Sequence, residues 1–403
     1  IWAEMRNYGF MTLSEEIACY YGGNAVIYNF SNVALFLAKV CWLTVQIMGG
    51  GFVLSVITGL SPKTCTVLSG ILIAVTTIPG GLLTVVYTDI FQVIVLFAGF
   101  IVLCIVSLQM VGGLDGLEEK VPPEYFSFLG VEALGWKTAV SIALALVIHK
   151  IADTNNRLRI YSAVSVRAAK WSLLLAGGFE IAFSVIIGIV GMSAYALGAQ
   201  VDAADQAIPW LTVHALPTWL AAVVVVAITA AIFSSGDSDA AVSATFFVRH
   251  IFPMFAGRFP DNPLLVSRLW LVILFIVSTV LGLLAGSIVD FVLQFLSVIL
   301  SGLAVVIVLG RFWKRATWQG AVTAVVAGAV VSFLVMWVPG QEEFWGKPII
   351  PATLAALVGE VGVSLLTPAP KTSFREVAEN MRDQRAAIDS DTVFEAFSET
   401  PGA

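Results

Sequence analysis

The sequence predicts an all-α integral membrane protein, and three observations predict it. The 403 residues are 59% hydrophobic and only 12% charged, against about 45–50% and about 25% in an ordinary soluble domain. Mean hydropathy is +0.93. The apolar residues run in stretches of about 20, the length a helix needs to cross a ~30 Å hydrocarbon core. They lack the period-2 alternation of barrel strands. A soluble enzyme and a disordered chain are thereby excluded, because neither can carry so much apolar surface. The net charge of -6 argues against a nucleic-acid partner. Cys19, Cys41, Cys65 and Cys104 are scattered and read as small apolar fillers.

Ten candidate spans follow one another with short loops: 28–58, 62–78, 84–111, 139–153, 171–197, 217–246, 264–286, 288–309, 316–338 and 349–367. The first is long and carries Gly49-Gly50-Gly51, which predicts tilt or a kink. Span 139–153 is short and ends in the polar run His149 to Asn156, which predicts a broken helix. Segments 1–27 and 368–403 flank the spans, and the second is polar. The second contains an amphipathic stretch at 373–388 and is expected to be a solvated tail. The absence of an initiator Met before Ile1-Trp2-Ala3 suggests further upstream sequence.

Loop charge predicts orientation. Lys150, Arg157, Arg159, Arg167, Lys170, Arg249, Arg258, Arg268, Arg311, Lys314 and Arg315 fall on one set of alternating loops. Only Lys63, Lys120, Lys137 and Lys347 fall on the other. Basic loops stay cytoplasmic, so segments 1–27 and 368–403 are expected inside. The expected location is multi-pass in a plasma membrane, the bacterial inner membrane.

A carboxylate at mid-bilayer costs about 2.5–3.5 kcal/mol on insertion scales, which makes each one a functional candidate. The densest polar cluster is Ala230 to Asp239, in the inner half of span 217–246. At about 100° per residue, Ala231, Ser234, Ser235 and Ser238 share a helix face, with Asp237 and Asp239 on its edges. Hydroxyls and carbonyls beside carboxylates suit a hard cation. Serine back-bonding, helped by Gly236, would open the helix there. The alternative is that these serines only bond neighbouring helices. Asp89 is the second candidate, about two turns into the helix that starts after Pro79-Gly80-Gly81; its alternative is a carboxylate snorkelling to the inner surface. Lys39, Trp42 and Gln46 recur at helical spacing and are placed to line a cavity or to pack. Glu180 and Gln294 are single intramembrane polar groups, open between solute contact and structural bonding. His149 sits beside the broken span, where it either titrates or plays a structural part. No nucleophile-and-base set, phosphate loop or metal motif of an enzyme is evident.

Several of these stretches, in order, resemble the sodium:solute symporter family. Thr12-Leu13-Ser14-Glu15-Glu16 with Tyr20-Tyr21-Gly22 is similar to its "TLPEFLxxRYG". Gly80-Gly81-Leu82 through Thr88-Asp89-Ile90-Phe91-Gln92 is similar to "GGLxAVxWTDxxQ". Asp205 to Pro209 leading to Ala230–Ser238 resembles "DxAxPLL…AAIMSTxDS". Leu309 to Thr317 with Gly320 resembles "LGLFWKRATxxG", and Leu365-Leu366-Thr367-Pro368 resembles the end of the last span.

The resemblance implies a LeuT-type bundle of two inverted repeats, with ions and solute near the midplane. It implies sodium as the co-transported ion, no organic cofactor, and a small solute (amino acid, sugar or organic acid) as partner. By motif, Ala231 (carbonyl), Ser234 and Ser235 correspond to the sodium site. Asp89 corresponds to a nearby aspartate linked in some members to a second sodium, with Asp237 and Ser238 placed to supply oxygens to that ion. Trp42, Gln46, Asn155, Glu180 and Gln294 are the expected solute contacts. Two departures stand out. The family's opening helices, including the first bundle helix, have no counterpart in the sequence. The "NQxxxQR" or "TDQxxxQR" segment is replaced by Asp153-Thr154-Asn155-Asn156-Arg157-Leu158-Arg159. The expected function is sodium-coupled symport. The alternatives are a transport-incompetent subunit or sensor of the same fold, and a proton-coupled carrier using Asp89 or Asp237.

Overall fold

The computed structural model describes residues 2–78, 82–127, 130–201 and 203–383, and the side chains of these residues except those of 82–92. Among the described residues the regular structure is helical: α1 (Leu13–Tyr20), α2 (Ala25–Thr58), α3 (Pro62–Thr77), α4 (Leu82–Val111), α5 (Gly113–Lys120), α6 (Val131–Leu134), α7 (Trp136–Ala152), α8 (Thr154–Ser162) and α9 (Val166–Ala196). They continue as α10 (Ala207–Ala215), α11 (Thr218–Phe246), α12 (Phe252–Ala256), α13 (Pro263–Leu284), α14 (Ile288–Phe295), α15 (Ser301–Phe312), α16 (Trp318–Trp337), α17 (Gln341–Trp345) and α18 (Ile349–Leu366). Single π turns join α11 to α12 and α14 to α15.

Every one of the ten expected spans falls on a helix. Eight are long and apolar enough to cross a bilayer; α3 is a shorter apolar helix of 16 residues and α7 has 17. At 1.5 Å per residue, 16 residues reach only about 24 Å, which explains why α3 falls outside the spanning set.

Local sequence sets the helix ends. Asn24 caps α2, its side chain accepting from the Val26 N–H, and Gly59 closes it at φ 69°. Ser61 caps α3 with Pro62 in its first turn. Gly49-Gly50-Gly51, where the sequence predicts tilt or a kink, lies within an unbroken helix and forms a close packing surface. A Cβ at Gly51 would lie 2.8 Å from Thr66 Cα, so α3 can approach α2 only because that side chain is missing.

The core joins α2, α7, α11, α13, α14, α15, α16 and α18 through Leu43, Ile47, Ala145, Ala240, Leu274, Leu293, Leu303, Ala321 and Ala356. Gly302 marks a crossing of backbone on backbone: a Cβ there would meet Val325 Cα at 2.4 Å. Gly302→Ala is therefore expected to destabilise by about 1–3 kcal/mol, since backbone must move. Gly177→Ala, where a Cβ meets nothing within 4 Å, should be neutral or stabilise by up to ~1 kcal/mol. Unfolding in detergent separates the two; equal effects would refute the packing argument.

The part of the tail that is described, 368–383, departs from the expectation of a solvated segment, and residues 384–403 lie outside the described residues. Residues 374–383 are helical, and Val377 and Ala378 are buried with Ala3, Met5, Phe10, Cys19, Ile160 and Ala169. Phe374 stacks on Tyr20 at 5.1 Å and meets Tyr8 edge-on at 4.9 Å. The amphipathic pattern predicted the helix; its apolar stripe is buried against the N-terminal segment.

Candidate functional site

The expected break after α7 is present. Asp153 leaves helical geometry (φ -72°, ψ 112°), and its carboxylate accepts from the Asn155 N–H at 2.9 Å, capping α8. Asx side chains favour such positions because they satisfy a free backbone N–H. The break turns the chain so that Asn155 faces α11: its Nδ2 donates to Asp239 Oδ1 at 3.4 Å.

Asp239 is 5% exposed and paired with Lys39, 3% exposed, at 2.8 Å. The pair crosses from α2 to α11. Lys39, Trp42 and Gln46 lie on one face of α2, as their spacing predicts, and Ser234, Ser235 and Ser238 lie on one face of α11. Together with His149, Asp153, Asn155, Arg159 and Asp239 these six line a cavity of about 210 Å³. The Trp42 ring lies 4.6 Å from the His149 ring and meets Phe295 edge-on at 5.3 Å. Trp42 thus ties α2 to α7 and α14 at the cavity wall.

The cation face is a continuous helix. α11 does not open at Gly236, contrary to expectation. Gly236 serves close approach instead: a Cβ there would come within 3.2 Å of Ile73 and 3.6 Å of Gln46. Ser234 Oγ donates to the Ala231 carbonyl at 3.3 Å, so two oxygens of the expected sodium set are adjacent. Asp237 points to α3, accepting from the Thr77 hydroxyl. Asp89 belongs to α4, but its side chain lies outside the described residues.

Two expected solute residues are not brought to the cavity. Glu180 pairs with Lys150 at 2.6 Å, with side chains 59% and 49% exposed. Gln294 is exposed on α14. Glu180 interrupts a helix that is apolar almost all round, so sequence gives no facing direction for it, whereas Gln294 lies four residues from Asp290 on the polar face of α14, and both are exposed. In turn, Asp239, Asp153 and Arg159 enter the wall although the sequence does not single them out as solute contacts. The available signals were the position of Asp239 directly after Ser238 and the placement of the other two at the break.

A helical membrane bundle with a polar cavity beside a broken helix and a serine face is the architecture of a secondary transporter. The chain belongs to the sodium:solute symporter family, whose family model matches residues 1–328. It is 27% identical to the sodium/mannose cotransporter of Bos taurus, with 90% of this chain and 71% of that protein covered. It is 25% identical to the sodium/pantothenate symporter of Haemophilus influenzae, with 81% and 69% covered. Among solved structures it resembles a substrate-bound, outward-open Na+-coupled sialic acid symporter (TM-score 0.70, 17% identity, 91% of this chain and 79% of that one). It also resembles a nucleobase-cation-symport-1 family transporter in a closed conformation (TM-score 0.56, 17% identity, 94% and 85%). The fold is the LeuT type. The relatives are transporters rather than enzymes.

Proposed function

We propose that this chain carries out sodium-coupled symport of a small polar organic solute by alternating access. The observation that carries the reading is the shared cavity: Ser234, Ser235 and Ser238 face the same space as Trp42, Gln46 and Asn155. An ion and a solute in one cavity each change the other's binding, which coupling requires. Sodium takes the Ala231 carbonyl and the Ser234 and Ser235 hydroxyls, hard oxygen ligands for a hard cation. Asp237, Ser238 and Asp89 supply oxygens for a second ion. The solute lies against α2, α7, α8 and α11. The sodium gradient and the membrane potential drive the cycle, the potential contributing about 2.3 kcal/mol per charge per 100 mV. The basic loops and both terminal segments face the cytoplasm of a plasma membrane, the bacterial inner membrane. The change of access needs ion and solute to bind the two states with different affinity.

Sodium chloride should raise the unfolding temperature of the detergent-purified chain above its value in potassium chloride at equal ionic strength. A ligand confined to the folded state adds RT ln(1 + [L]/Kd), about 2.7 kcal/mol at 100 Kd. Ser234→Ala/Ser235→Ala should abolish the difference. A sodium effect of undiminished size in that variant would place the ion elsewhere.

A further inference from the structure

The cavity is built around a charge pair that a sodium site does not require. Lys39 and Asp239 are both nearly inaccessible, and they come from helices 200 residues apart in sequence. A buried pair of this kind is rarely a net source of stability, since its desolvation offsets its attraction. Here it stands in the wall of a polar cavity, with Asn155 bonded to the same Asp239 oxygen as Lys39. Asp239 Oδ2 and two of the three Lys39 ammonium protons therefore remain to meet a ligand. His149 Nδ1 is buried without a partner in the same wall.

We infer that the solute is a small zwitterion, carrying one cationic nitrogen and one carboxylate, and that it inserts between Lys39 and Asp239. The inference rests on the transport reading above and names the substrate class of that same cavity. Charge balance is the first argument. The charged wall residues are Lys39 and Arg159 against Asp153 and Asp239, which sum to zero. With sodium held on the serine face, the pairing at Lys39 and Asp239 decides: a net anion would bond Lys39 and leave the buried Asp239 facing like charge, and a net cation would bond Asp239 and leave Lys39 so. A zwitterion exchanges one ion pair for two, its carboxylate on Lys39 and its cationic nitrogen on Asp239. A polyol has no charge with which to separate the two. Charge-assisted hydrogen bonds are roughly twice as strong as neutral ones, so the zwitterion can open the pair where hydroxyls cannot.

Size is the second argument. A 150 Å³ cavity accommodates benzene, six heavy atoms. In proportion, about 210 Å³ admits about eight heavy atoms. Alanine, serine and proline fit that measure. Trp42 and His149 line the same space with their rings 4.6 Å apart.

The test is binding to the purified full chain, read as a thermal shift in sodium chloride and in potassium chloride. The probes are alanine, serine and proline, their N-acetyl derivatives (anions), their methyl esters (cations) and myo-inositol. The free amino acids should stabilise the protein in sodium, and every blocked or uncharged probe should bind at least about tenfold more weakly, a difference of ~1.4 kcal/mol. Lys39→Met/Asp239→Asn, which leaves no buried charge unpaired, should keep its sodium shift and lose the amino-acid shift. Equal binding by the N-acetyl derivatives or by myo-inositol overturns the inference, as does an amino-acid shift that survives in the double variant, and as does no binding of any free amino acid. A sodium shift without amino-acid binding overturns the inference and leaves sodium coupling standing. A charge-dependent amino-acid shift without any sodium effect supports the inference and removes sodium coupling.

Discussion

Arg157→Met is expected to cost about 3–5 kcal/mol of stability, because it leaves a buried carboxylate without its cation. Glu16 on α1 is fully buried, and Arg157 on α8 is 3% exposed with Nη1 3.3 Å from Glu16 Oε1. The guanidinium also donates to the Ile151 carbonyl at 3.2 Å and lies 4.4 Å from the Trp2 ring. The Ile151 bond satisfies a carbonyl left free at the end of α7. On the other side, the Tyr20 and Tyr161 hydroxyls donate to the two Glu16 oxygens at 2.7 and 2.5 Å. Burial first, and then the Glu16 charge, hold both phenols well above their ordinary range. They stay protonated donors through neutral pH. Their contribution is complete below the ordinary phenol range near 10 and declines as pH rises above it.

The cluster matters for function through α8. Asn155 reaches the cavity and Arg157, two residues on, reaches Glu16, so successive faces of one short helix join the solute site to the α1 junction. The measurement is a double-mutant cycle on unfolding free energy. Glu16→Gln/Arg157→Met should recover much of the loss, since removing both charges leaves no orphan. An Arg157→Met cost below ~1 kcal/mol would mean the pair is solvated and α8 is held by other contacts.

The architecture was legible because a bilayer-length apolar run is a property of composition, read without knowing any tertiary contact. The serine face was legible for a related reason. Ser234, Ser235 and Ser238 lie within five residues of one helix, so the helical period alone puts them together. The same holds for Lys39, Trp42 and Gln46. What stayed hidden depends on contacts between distant elements. Asp239 finds Lys39 across 200 residues, and Asn155 finds Asp239 only because Asp153 ends α7. Glu180 went astray because it interrupts a helix apolar almost all round, so no amphipathic stripe reveals which side it faces; Gln294 shares a polar face with Asp290 four residues earlier, a signal of its outward direction that the sequence does carry. Glu16 was placed in a motif, yet its burial needs Arg157 from α8 and hydroxyls from both Tyr20 and Tyr161. The burial of Val377 and Ala378 stayed hidden because their partner surface is assembled from the N-terminal segment, α8 and the start of α9.

Lys39→Met should lower stability by about 3–5 kcal/mol as well, and through the same cause at a different place. Asp239 would keep only the 3.4 Å bond from Asn155, too long to replace an ammonium at 2.8 Å. Removing a charge from the exposed Arg258–Asp261 pair, whose side chains are 68% and 81% exposed, should cost no more than about 0–1 kcal/mol. The geometry of that pair, 2.8 Å, equals that of Lys39 and Asp239, so distance cannot explain a difference between them. Burial can, because only an inaccessible partner is left unsolvated when its counter-charge goes. Chemical unfolding of Lys39→Met and Arg258→Met in one detergent gives the comparison directly. Equal losses would mean that water reaches Asp239 through the cavity in the absence of solute. In that case the Lys39–Asp239 pair would be open to exchange with a bound zwitterion at still lower cost.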